Sequence, residues 1–192
     1  IQKRYFVYVR SDTIVKHPAL LEKWKRIGLD MVFIGLESLV QEELNGFNKS
    51  VSVHQNVQAV NIMKELDVMV YPSFLVLPEY TGRDFRTLAS NVRRLKLPYA
   101  SFFILTPVLG TDFYDEVQEQ LLTDDPALYD GLHPVLPTAL GPKRFCRELE
   151  RLYRRTVHPL GYLKLLFRIG SLKEAVSVMY FALAYLKRIK YA

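Results

Sequence analysis

The sequence predicts an α/β fold: a partial (β/α) barrel of about four βα units followed by a C-terminal helical extension. Three observations predict it. Short apolar, β-branched runs alternate four times with stretches of helical periodicity, and the short connections imply parallel strands joined by right-handed crossovers. Polar residues gather just past the C-terminal ends of those runs, where such folds place binding chemistry. Beyond Thr123 the alternation stops and a proline-rich stretch precedes amphipathic helix. The expected division is a half-barrel over residues 1–122 and a helical extension over 123–192.

Tyr5–Val9 reads as a buried strand, aromatic and β-branched, ending at Arg10-Ser11-Asp12. Pro18 suits the first turn of a helix that runs over Ala19–Ile27 and stops at Gly28. Met31–Ile34 reads as a second buried strand, leading through Gly35 to Glu37 and Ser38 where strand gives way to loop. Leu39–Phe47 is a short helical stretch. Ser52 or Ser50 caps the next helix, Val53–Leu66, whose Val57, Val60, Ile62, Met63 and Leu66 form one face. Val68–Leu77 is a third strand, interrupted by Pro72 and closed by Pro78-Glu79-Tyr80-Thr81. Thr81 caps a helix over Arg83–Leu95. The fourth strand, Tyr99–Leu105, leads to Thr106-Pro107, to Gly110 at a turn that needs positive φ, and to Thr111 as cap of Asp112–Leu122. Pro142–His158 reads as a helix with Phe145, Leu149, Leu152 and Tyr153 at helical spacing, and one or two helices follow over Leu160–Ala192.

With 192 residues, 49% of them hydrophobic, the chain can bury a sizeable core. Its single cysteine, Cys146, excludes a disulfide framework within the chain and fits a reducing compartment. It equally excludes a self-contained iron–sulfur site, which needs several thiolates. Histidines at 17, 54, 133 and 158 show no metal-ligand spacing. No phosphate-binding glycine loop and no nucleophile elbow is present.

The net charge of +6 is unevenly spread: residues 1–138 hold 14 Lys/Arg against 17 Asp/Glu, and 139–192 hold 12 against 3. A basic tail suits anionic head groups or phosphates, and a solvated helix face accounts for it as well. Aromatic residues are not interleaved with the charge, so no nucleic-acid partner is expected. The longest uncharged run of the tail, Ala175–Leu186, has 12 residues and is too short to span a bilayer. It is expected to pack on the barrel, with an interfacial position as the alternative. The expected location is cytoplasmic, at most peripheral to the inner face of a membrane. The chain opens on IQKRYFVYVR without Met or signal-peptide regions and reads as a piece of a longer protein.

The stretch Met31–Lys49, MVFIGLESLVQEELNGFNK, carries the functional signal. A carboxylate and a hydroxyl at a strand end can share hydrogen bonds with ribose hydroxyls; a polar turn without function accounts for them equally. "IGLES" followed by "L..FNK" resembles the fourth strand and following helix of radical S-adenosylmethionine enzymes, closest to the branch with a cobalamin-binding domain ahead of the barrel. "LTPVLGT" and "LYDGLHPVLPT" are similar to the hopanoid C-3 methylase group. The resemblance covers roughly residues 1–158.

It implies that the four strands are the third to sixth of a six-unit partial barrel. It assigns Glu37 and Ser38 to the sugar of S-adenosylmethionine. Lys49 then reaches the carboxylate of the methionine part, where a buried carboxylate needs a charge-assisted partner, or is an ordinary exposed lysine. Arg10 closes the first strand on the same rim and meets a carboxylate or phosphate, or forms an internal salt bridge. Thr106, Tyr129 and His133, with Tyr153, are candidate substrate contacts; no catalytic residue and no metal ligand is assigned. Pro78, Glu79, Thr81 and Asp84 match a "P..T..D" stretch, but Leu77 stands where relatives show glycine, which puts a close backbone approach in doubt. PVLGT lacks the second proline of the family's PLPGT.

CxxxCxxC, the acidic glycine motif and DxHxxG are absent, so the ligands of a 4Fe–4S cluster and of cobalamin are expected in a missing N-terminal half of the parent protein. By resemblance the parent cleaves S-adenosylmethionine at the cluster, the resulting radical takes hydrogen from an unactivated carbon of a hopanoid-type lipid, and methylcobalamin delivers the methyl group. This piece alone is expected to be inactive. Two alternatives stand: a radical S-adenosylmethionine enzyme of another reaction type, such as thiomethylation or ring formation, or a non-catalytic remnant acting as a binding or membrane-surface module.

Overall fold

The structure, a computed structural model, describes residues 3–47 and 49–156. The helices expected over Leu160–Ala192, the run Ala175–Leu186 and His158 lie outside the described residues.

Four strands form one parallel sheet in sequential order: β1 (Tyr5–Tyr8), β2 (Leu29–Glu37), β3 (Met69–Val76) and β4 (Ser101–Ile104). Helices α1 (Ser11–Lys16) and α2 (Pro18–Arg26) join β1 to β2, α3 (Gln41–Gly46) and α4 (Val53–Glu65) join β2 to β3, and α5 (Gly82–Arg94) joins β3 to β4. After β4 come α6 (Asp112–Val117) and α7 (Pro142–Thr156). The expected α/β half-barrel is present. Its boundaries follow local chemistry: Ser52 caps α4 in a reciprocal box with Gln55, Thr81 caps α5 with Asp84, and Thr111 accepts from the Tyr114 N–H to start α6.

Alternation along the strands divides the sheet into two faces. Val32, Ile34 and Leu36 of β2, Val70, Phe74 and Val76 of β3, and Phe102 and Ile104 of β4 are buried against the helices. Ile14, Val60, Met63, Phe85 and Leu88 meet them, and Phe145, Leu149 and Leu152 of α7 belong to the same core. Each such side chain contributes roughly 1.5–3 kcal/mol of transfer free energy. The other face carries an aromatic row: Tyr8 of β1, Phe33 of β2, Tyr71 of β3 and Tyr99, two residues ahead of β4, with successive ring centroids 4.8, 5.5 and 5.0 Å apart.

Several elements differ from the sequence reading. The first strand is not buried, since Phe6 is 45% and Tyr8 75% exposed. Tyr5–Tyr8 is an edge strand with β2 as its only strand neighbour among the described residues. The residues after it form α1, to which the sequence reading assigned no element, a six-residue helix too short to register as a periodicity. The second strand extends through Glu37, and the following helix shrinks to Gln41–Gly46. The helix expected over Asp112–Leu122 ends at Val117 and tightens to a 3₁₀ turn at Gln118–Gln120.

Pro72 does not interrupt β3. The Leu105 N–H donates to the Val76 carbonyl at 2.9 Å, so even-numbered residues of β3 turn their backbone polar groups toward β4. Pro72 shares that parity, and the β4 ladder starts only at Ser101 opposite Ser73. The missing N–H therefore falls where no ladder bond is needed.

The outer side of β4 is occupied without a fifth strand. The Tyr153 hydroxyl of α7 accepts from the Phe102 N–H at 2.9 Å and donates to the Phe102 carbonyl at 2.8 Å. One step further, the Ile104 N–H donates to the Gly131 carbonyl at 2.7 Å. Tyr153 is 8% exposed, so its hydroxyl serves the strand edge.

Candidate functional site

At the C-terminal ends of β1 and β2 lies a cleft of about 280 Å³, lined by Tyr8, Val9, Arg10, Ser11, Asp12, Phe33, Gly35, Glu37, Lys49 and Val51. Arg10, Glu37 and Lys49, 39 positions apart at the extremes, thus meet on one rim. Tyr8 and Phe33, neighbours in the aromatic row, form its apolar side.

Glu37 closes β2 in a left-handed backbone conformation, φ 60°, at a register shift against β3. A non-glycine residue there is uncommon and marks a site where the surroundings impose the geometry. Those surroundings are visible. The buried Asn56 of α4 donates its side-chain amide to the Leu36 carbonyl at 2.9 Å and the Ser38 carbonyl at 3.3 Å, gripping the backbone on both sides of Glu37. The Ser38 N–H also donates to the Leu36 carbonyl at 2.7 Å. The Glu37 side chain then faces Lys49, whose Nζ donates to Glu37 Oε1 at 2.7 Å and to the Gly35 carbonyl at 3.1 Å. Gly35 makes room for this pair, because a Cβ there would stand 2.5 Å from Glu37 Oε1.

Ser38 is 1% exposed and lies beneath the rim. Its hydroxyl accepts from the Val40 N–H at 3.0 Å and donates to Glu43. The same carboxylate accepts from the Tyr80 hydroxyl at 2.9 and 2.8 Å. Burial and the Glu43 charge push the Tyr80 phenol far above its ordinary value, so it remains a donor. Glu43 thereby ties the end of β2 to the segment that follows β3.

Arg10 is ion-paired with Asp12 at 3.0 Å, and Lys16 approaches the same carboxylate at 3.4 Å. The Arg10 hydrogen bond, aided by Lys16, holds the Asp12 carboxyl below the usual carboxylate range against a smaller opposing effect of burial. The Arg10 side chain keeps 68% of its surface exposed, so it remains open to a further anion.

The candidate substrate residues lie elsewhere. Thr106 donates to the Ile104 carbonyl at 2.9 Å, Tyr129 to the Thr123 carbonyl at 3.0 Å, and the His133 ring stands 3.1 Å from Asp130. None of the three lines the cleft. A second, mostly apolar cleft of about 460 Å³ on the β3–β4 side draws Leu136, Pro137 and Thr138 from that same segment, together with Pro78, Glu79 and Leu105.

Glu43, Asn56 and Tyr80 were not singled out from the sequence. Asn56 had a signal, a polar residue on the face of α4 that buries Ala59, Val60 and Met63. Glu43 had none, since an acid in the first turn of a helix reads as a partner of the helix dipole.

No protein-family model matches the sequence. The chain is 29% identical over 152 residues to the hopanoid C-3 methylase of Methylococcus capsulatus, covering 79% of this chain and 29% of that protein. It is 23% identical to the anaerobic magnesium-protoporphyrin IX monomethyl ester cyclase of Cereibacter sphaeroides, covering 79% of this chain and 25% of the cyclase. The chain therefore spans less than a third of the length of these curated relatives. Among solved structures, the cobalamin-dependent S-adenosylmethionine radical enzyme OxsB matches with a TM-score of 0.55 at 14% identity, covering 98% of this chain and 34% of OxsB. The radical S-adenosylmethionine methyltransferase TsrM from Kitasatospora setae, solved with cobalamin and a 4Fe–4S cluster, matches at 0.53 and 17%, covering 79% of this chain and 30% of TsrM. The chain is a homologue of the methylase and carries part of the fold of these enzymes.

Proposed function

We propose that this chain is the cofactor-cradling part of a cobalamin-dependent radical S-adenosylmethionine methyltransferase, and that its first cleft takes S-adenosylmethionine. The observation that carries the reading is the convergence of Arg10, Glu37 and Lys49 on one rim at the C-terminal strand ends. The donor set fits the ligand. Glu37 offers a carboxylate to ribose hydroxyls, Lys49 and Arg10 offer cations to the methionine carboxylate, and Tyr8 and Phe33 offer aromatic faces. Ser38 acts from below by fixing the backbone beside Glu37. Binding of the methionine carboxylate would draw Lys49 from Glu37, freeing the acid for the sugar.

The residues present do not fit a cluster. Cys146 is buried on α7, and burial pushes its thiol up to about 11, away from the thiolate a metal requires. Radical and methyl-transfer chemistry belongs to the cofactors; this chain binds and orients. A hopanoid-type lipid is the substrate we infer, supported by similarity to the methylase. The second, mostly apolar cleft is the candidate to receive part of it. The similarity to a cyclase supports a second reading, ring formation on the same scaffold.

Equilibrium dialysis of the chain with S-adenosylmethionine tests the cleft assignment. Saturable binding that Glu37→Ala weakens at least about tenfold is the expected result, one charge-assisted contact contributing about 1.5–3 kcal/mol. Binding indifferent to Glu37, or none by the folded chain, overturns it.

A further inference from the structure

We propose that the outer wall formed by α5 and α7 is a docking face for an anionic phospholipid surface. The two helices pack against each other through Phe85 and Phe145, whose rings meet edge to face at 5.2 Å. On its exposed side α5 carries four arginines between Arg83 and Arg94, and α7 carries six cations between Lys143 and Arg155. At roughly 100° per residue the six on α7 fall within about a third of a turn. That arc lies opposite the arc that buries Phe145, Leu149 and Leu152.

Little of this charge is internally matched. Of the ten cations only Arg151 and Arg154 form ion pairs among the described residues, with Glu148 and Glu150. The one acid on α5, Asp84, is engaged by the Thr81 cap. Nine of the ten are arginines, whose planar fork matches phosphate oxygens. The face joins two adjacent outer helices, and no aromatic ring lies among its cations to stack a base, so it suits a plane of head groups better than a nucleic-acid strand. The sequence past Thr156 continues in the same sense, with six Lys/Arg against one Glu.

Flotation of the full chain with phosphatidylcholine vesicles, with and without phosphatidylserine, tests this. Binding is expected only with phosphatidylserine and should weaken as salt rises. Replacing Arg86→Glu and Arg93→Glu, both exposed, should reduce partitioning about thirtyfold at low salt while leaving the circular dichroism spectrum unchanged. Lys23→Glu on α2 should leave partitioning as it is. Equal binding to neutral vesicles overturns the proposal, as does full retention by the α5 double variant, which would assign the attraction to another part of the chain. Release from the vesicles by a single-stranded RNA that binds more tightly overturns it too.

Discussion

Lys49 Nζ lies 2.7 Å from Glu37 Oε1 directly above Gly35, and the glycine is what lets the pair close. A Cβ at Gly35 would meet the carboxylate oxygen at 2.5 Å and Lys49 Nζ at 3.5 Å, whereas no backbone atom stands that close. Gly35→Ala should therefore displace two flexible side-chain ends and cost the fold little, within about 1 kcal/mol. Its effect should fall on the cleft. A urea titration and S-adenosylmethionine dialysis on the same variant should show near-native stability with binding lost. Unchanged binding would mean that the pair does not shape the cleft.

Tyr80→Phe deletes one donor to the Glu43 carboxylate and leaves that carboxylate half-buried with Ser38. Hydrogen bonds to charged groups contribute about 1.5–3 kcal/mol, so the variant should lose that much in urea unfolding. Ser38→Ala should cost a similar amount. The double variant should fall short of the sum, because both hydroxyls serve one acceptor. Strict additivity would dissolve the network.

Asn56→Ala strips the amide that holds the Leu36 and Ser38 carbonyls. The expected loss is about 2–3 kcal/mol, with faster amide exchange at Ser38 and Val40. Exchange that remains native there would show that the left-handed turn at Glu37 holds without α4.

Asp84 gives the acid limb of stability a local handle. The hydrogen bond from the Thr81 hydroxyl holds its carboxyl below the ordinary value of 3.8, with burial opposing and the Thr81 N–H assisting. A depressed folded value means that the stabilisation is fully present above 3.8 and is lost as pH falls through the folded value. Asp84→Asn should therefore be less stable than the native chain at neutral pH and converge with it below that range. Parallel stability curves down to strong acid would exclude the linkage.

Burial raises the Cys146 thiol to about 11, so little thiolate exists near neutral pH. Iodoacetamide at pH 8 should leave the native chain unmodified and alkylate it quickly in urea. Rapid native labelling would place the face of α7 bearing Cys146 in solvent.

Much of this is legible in the sequence, and the reason is distance along the chain. Ser52, Thr81 and Thr111 cap their helices through bonds that span two or three residues, so residue type and position suffice. Arg10 and Glu37 stand at strand ends, which alternation alone can locate. What escaped depends on contacts that sequence spacing does not encode. Tyr80 meets Glu43 across 37 positions, and Tyr153 meets Phe102 across 51. The exposure of Phe6 and Tyr8 follows from β1 lying at an edge, which composition does not reveal: an aromatic strand reads the same in a core or at a margin.

The two margins of the sheet are treated unequally. Tyr153 and Gly131 already stopper the β4 side, while β1 has no strand partner on its outer side among the described residues. The β4 side is a finished seam: a further strand could add there only if the Tyr153 hydroxyl gave up both of its bonds to Phe102 and Gly131 gave up Ile104. Any widening of this sheet therefore belongs to the β1 side.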